Sequence, residues 1–190
     1  TPEHRPEAAA WLLGYPDTYE IGLPNQGLQI LREIINEHPV GVAERTYARL
    51  SRVLGHEFKE RKPILIFGSR TEFGQNNVTG DLGEGTGGVT DALRQRNMFF
   101  FAGDLGEAEH VLAHEMVHVF QYDIFAAGRA GSGMQQLAAV DPPLWFVEGM
   151  AEYLSIGPRH PYTDVIMRDA ALNGDIPSIE AMTERPNSYF

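Results

Sequence analysis

The sequence predicts an α+β fold: a small mixed sheet, then a long central helix and a helical C-terminal part. Short apolar runs at Leu12–Tyr15, Ile64–Phe67, near Val89 and at Met98–Phe101 have strand length and all precede Asp104. Beyond Asp104 the chain is punctuated by helix starts and stops. With 190 residues, 43% hydrophobic and 22% charged, it can bury a substantial core and is not disordered by composition.

Taken in order, Leu12–Tyr15 reads as a strand and Gln26–Glu37 as a helix. Pro39–Gly41 is the seam that sets this N-terminal strand–helix segment, 1–40, apart from a domain over 41–190. Helices are expected at Val42–Leu54 and around Glu72–Asn76, with the strand Ile64–Phe67 between them. Gly80–Gly88 contains Gly85-x-Gly87-Gly88 but lacks the lysine and the immediately following helix that phosphate cradling uses, so it reads as a loop beside an edge strand. Asp104 and Glu107 have capping-box spacing, Val111, Leu112, Val119 and Phe120 supply apolar positions, and Gly128 lies beyond an end near Phe125. That predicts a helix of about five turns. Asp141-Pro142-Pro143 announces the next helix, with Asp141 as N-cap and the prolines in the first turn, where no backbone donor is needed; Gly157-Pro158 stops it. Asp164–Leu172 and Ser178–Met182 complete the helical part.

A formal charge of −11 and the lack of any Lys/Arg run argue against a nucleic-acid partner, because such binding needs cationic neutralisation of phosphates. No segment approaches the roughly 18 apolar residues needed to span a bilayer, and Ala8–Leu13 is too short for a signal peptide. Beginning at Thr1 rather than methionine, the chain is expected to be a processed form. It has no cysteine, hence no disulfide, which fits any compartment.

The chemistry is carried by His114-Glu115-Met116-Val117-His118 and, thirty residues after the second histidine, by Glu148-Gly149-Met150-Ala151-Glu152. Histidines at i and i+4 stack on one helix face, where both rings can converge on one ion, while Glu115 projects about 100° round the axis. A catalytic zinc takes three protein ligands and keeps one position open. His114, His118 and Glu148 supply that set, and Glu115 is left as the base that takes a proton from water. Glu152, one turn beyond Glu148, is placed to accept the other ring N–H of a ligating histidine. A bare pair of histidines at this spacing is ordinarily a surface feature; Glu115 and the downstream glutamates are what make it a metal site. His110 shares the stripe, but about 12 Å of helical rise separates it from His118, too far for one ion, so it reads as structural. His56-Glu57 is half a motif, with Glu60 where a histidine is needed. His160, Tyr153 and Tyr162 are candidate donors to a developing oxyanion.

HExxH with a distant Glu in an E-G-x-A-E setting resembles the gluzincin metallopeptidases, and residues from about 43 to 190 look like the bacterial peptidase MA-like members of that clan. The resemblance implies a zincin-like domain with Zn2+ on His114, His118 and Glu148, and Glu115 as general base and proton shuttle. It further implies an upstream edge strand, within Gly87–Thr90 or Asn97–Phe101, that binds an extended peptide. An extracytoplasmic location, periplasmic or secreted, follows from the same resemblance. The family pattern continues with further helices where this chain stops at Phe190, so the domain is expected to be incomplete there. The activity is peptide-bond hydrolysis, endopeptidase or aminopeptidase; the alternative is a zinc-binding but catalytically silent interaction module. Residues about 11–40 separately resemble the opening of a radical SAM protein. That chemistry needs cysteine thiolates around its iron–sulfur cluster, which this chain lacks, so the segment is expected only to add a strand and helix to the sheet.

Overall fold

The computed structural model describes residues 13–14, 41–75, 86–92, 94–126 and 142–184. The expected helix Gln26–Glu37, and most of the Gly80–Gly88 loop, lie outside the described residues. The fold is α+β. Three strands of four or five residues, β2 (Ile64–Phe67), β3 (Gly88–Asp91) and β4 (Arg96–Phe100), are joined by the two-residue β1 (Leu13–Gly14) in the order β1-β2-β4-β3. β1 and β2 are parallel, as are β2 and β4, whereas β3 and β4 are antiparallel. Among the described residues β3 therefore has a strand partner on one side only. β4 lies inside the sheet, which removes Asn97–Phe101 as the edge strand and leaves the Gly87–Thr90 alternative.

Side-chain alternation sorts the two faces of the sheet. Ile64, Ile66 and Phe99 point to the cluster that includes Leu112, Met116 and Phe120. Phe67 and Met98, one residue out of phase, pack with Phe73 on the other face. The first face is covered by α1 (Val42–Leu54) and α3 (Leu105–Ala126), the second by α2 (Arg70–Gly74). In α1 the buried residues Val42, Thr46 and Leu50 recur every fourth position, and Gly55 ends the helix in the left-handed conformation (φ 61°).

Boundaries show where sequence signals were displaced. α2 begins at Arg70 rather than Glu72, because Ser69 caps it by accepting the Glu72 N–H at 3.2 Å. α3 begins where the Asp104 signal puts it: that carboxylate accepts the Glu107 N–H at 2.9 Å. α3 ends at Ala126, one residue beyond the expected Phe125, and its 22 residues make about six turns rather than five. α4 (Leu144–Ile156) corrects the expected start. Pro143 sits at the N-cap, its backbone extended (ψ 143°) and its carbonyl accepting from Phe146 and Val147; the expected cap, Asp141, lies outside the described residues. The ring of Pro143 keeps Pro142 out of helical geometry, so the prolines precede the helix instead of opening it. Gly157 (φ 88°) ends α4, and α5 (Pro161–Asn173) and α6 (Ile179–Glu184) follow without burying a residue. Among the described residues no helix is long and apolar enough to cross a membrane.

Candidate metal centre

α3 crosses the sheet with Met116, Val117, Val119 and Phe120 fully enclosed, so its histidines are carried on an immobilised backbone. α4 packs against α3 and brings up Glu148. The donor atoms converge. His118 Nε2 lies 3.2 Å from His114 Nε2, and Glu148 Oε2 is 3.3 Å from His114 Nε2 and 3.4 Å from His118 Nε2. Ligands at the zinc–nitrogen and zinc–oxygen bond length of about 2.0–2.1 Å in a tetrahedron stand about 3.3 Å apart. The three donors therefore form one face of such a tetrahedron, and a metal ion fits this set.

The other ring nitrogens are also accounted for. His114 Nδ1 is 3.1 Å from Glu152 Oε2, the same oxygen that His110 Nε2 approaches at 3.1 Å. Glu152 thus stands beside a ligand candidate, with His110 on its other flank; His110, His114 and Glu152 are themselves close enough to form a second donor group. His118 Nδ1 is 2.8 Å from Gln121 Oε1, and Gln121 Nε2 donates to the Val147 carbonyl at 2.9 Å. Gln121 escaped sequence reasoning. Its only signal was position i+3 from His118, one helical turn away.

Electrostatics follow the geometry. The His114 and His118 imidazoles beside it, outweighing its burial, hold the Glu148 carboxyl down at about 2. Burial pulls the His114 imidazole down, but the hydrogen bond to Glu148 and the nearby carboxylates leave it raised. Glu115 is only 6% exposed, and burial raises its carboxyl despite the hydrogen bond from Thr90. That bond is short: Thr90 Oγ1 donates to Glu115 Oε2 at 2.5 Å. Gly88, two residues earlier on the same face of β3, leaves the space that the carboxylate fills; a Cβ there would meet Glu115 Cγ at 2.8 Å and Oε1 at 2.9 Å. Asn97, fully buried beside Thr90, completes the contact by donating its amide N–H to the Glu115 carbonyl and accepting from the Met116 N–H.

No protein-family model, curated protein or solved structure matches this chain.

Among the candidate oxyanion donors, Tyr153 and Tyr162 are largely exposed, and His160 sits at the N-cap of α5 with Nδ1 enclosed and unpartnered. None of the three hydrogen-bonds to the cluster among the described residues. Tyr122, unremarked in the sequence, stacks on His118 with ring centroids 6.3 Å apart. Burial, then the charges of Glu148 and Glu115, raise its phenol, so it stays a neutral donor beside the cluster.

Proposed function

We propose that this chain is a zinc-dependent peptide hydrolase of the gluzincin type, with a zincin-like domain from residue 41 onward. The observation that carries the reading is the donor triangle of His114, His118 and Glu148 next to the buried carboxylate of Glu115. Two imidazoles and one carboxylate suit zinc and leave net positive charge at the site. Zinc held there supplies Lewis acidity, polarising a scissile carbonyl and acidifying water.

The protein's own groups do the rest. Glu115 takes the proton of the attacking water and returns it to the leaving amine. Thr90 holds one carboxylate oxygen and Gly88 makes room for the side chain, so the base has a fixed position. β3 offers to an extended peptide the main-chain groups of the side that has no strand partner among the described residues, and its inner face touches Glu115. A peptide added along that edge runs past the helix that carries His114 and Glu115.

The test starts with the zinc content of the purified chain and its turnover of a generic peptide pool. Stoichiometric zinc with turnover is expected. Glu115→Gln should keep the zinc and lower turnover by about 10²- to 10⁴-fold, whereas alanine at His114, His118 or Glu148 should lose the zinc itself. Lack of stoichiometric metal in the parent overturns the reading, and zinc without turnover reassigns the chain to a silent metal-holding interaction module.

A further inference from the structure

The Gln121 amide has only one consistent orientation. It is 1% exposed, so bulk water is not an alternative partner. The Val147 carbonyl can only accept, so the amide atom 2.9 Å from it must be the N–H donor. Amide planarity then turns Oε1, an acceptor, toward His118 Nδ1 at 2.8 Å. A proton must therefore sit on Nδ1, and the lone pair of the neutral ring falls on Nε2, the atom at the corner of the donor triangle.

We infer that Gln121 is a positioning residue that sets the His118 tautomer and ties its ring to the backbone of the helix bearing Glu148. This rests on the metal-centre reading and deepens it. Val147 immediately precedes Glu148, so one rigid amide fixes the distance between the second and third ligands. His114 has the analogous contact from Glu152, but that carboxylate is 41% exposed and shared with His110. The buried amide is the less replaceable of the two. It also acts before any ion arrives, since both of its bonds form within the protein alone.

Nitrogen-15 NMR of the imidazoles in the metal-free chain tests this directly, at about pH 8.5, roughly two units above the ordinary histidine pKa. His118 is expected mainly as the Nδ1–H tautomer, the Gln121 contact at 2.8 Å prevailing over the Glu148 carboxylate 3.4 Å from Nε2. Gln121→Met, which keeps length but offers neither bond, should release the ring toward the Nε2–H form and weaken zinc binding by about 10- to 100-fold, with thermal unfolding used to confirm that it folds. Gln121→Glu keeps the acceptor toward His118 but sets an oxygen against the Val147 carbonyl. It should keep the tautomer while weakening zinc, and the d–d absorption of the cobalt-substituted protein should report distorted geometry. An Nε2–H ring in the parent overturns the proposal, as does a Gln121→Met variant with unchanged tautomer and zinc affinity within twofold of the parent. If the parent takes up no metal at all, the metal-centre reading fails, while the tautomer of the metal-free protein still decides the role of Gln121.

Discussion

A methyl group at position 88 would land 2.8 Å from both Glu115 Cγ and Val111 Cγ1, closer than carbon atoms pack, so Gly88→Ala must move the carboxylate proposed as the base. Displacing a reacting group by about 1 Å can cost about 10²-fold in rate. Gly88→Ala is expected to lose turnover on that scale with zinc content unchanged; equal kcat in variant and parent would mean that the carboxylate has another place to go. Glu152 permits a second test at this scale. Glu152→Gln removes the charge that accepts from His114 and should weaken zinc by about 10- to 100-fold, measured by competition with a chelator; a change below twofold would return Glu152 to the solvated face. His114, Glu115 and His118 were legible because a helix converts sequence spacing into one face, and Glu148 because its own motif accompanies it. Gln121, Thr90 and Asn97 were not. Their partners lie on other elements, and no spacing rule announces a contact between Gln121 and Val147 or between Thr90 and Glu115.

Among elements, the sheet was read closely where the apolar run was unbroken: Ile64–Phe67 was located to the residue. β4 starts two residues earlier than its apolar run, because Asn97 is drawn inside by bonds to α3 that an apolar pattern does not reveal. The start of α3 was legible because Asp104 caps it locally; Asp104→Ala should cost about 1 kcal/mol, measured by denaturant unfolding, and a cost near zero would show that another group satisfies the first turn. Which strand is the edge was left open between two segments, since strand order depends on pairing partners far away in the chain. The proline pair before α4 was misassigned by a residue or two for the reason that two adjacent prolines can either open a helix or hold the chain extended before one.

For the whole molecule, the clearest consequence of its charges concerns pH. Asp123 is disfavoured as an anion by burial, yet hydrogen bonds from Lys62 and His56 outweigh that and hold its carboxyl below the ordinary value of 3.8. Glu148, ordinarily 4.5, is held at about 2. Folded values lie below unfolded ones for both, so their stabilisation is complete above the unfolded pKa and disappears as pH falls through the folded one. His114, raised above 6.5, contributes the other way: its share is present below 6.5 and is lost as pH rises through its folded value. Glu115, its carboxyl raised above 4.5 by burial, also loses its share as pH rises through its folded value, so the metal-free protein should resist heat best toward the acid end of the range between about pH 4.5 and 6.5. A thermal midpoint that climbed on acidification below pH 4 would contradict this.

The distribution of the ligands over two helices has a mechanical side. α3 is buried at every residue from Glu115 to Gln121, whereas α4 buries only Ala151 completely, and α5 and α6, one of them tied back to α4 by the Trp145 indole N–H on Thr183, bury nothing. An ion shared by His118 and Glu148 closes a thirty-residue span of chain like a clasp, and at 100 times its dissociation constant it adds about 2.7 kcal/mol to the bound form. Most of that gain belongs to the loosely held end. Chelation should therefore quicken amide hydrogen exchange in α4, α5 and α6 far more than in α3 or the sheet, which would make an ion held by this donor set the fastener of the C-terminal helices.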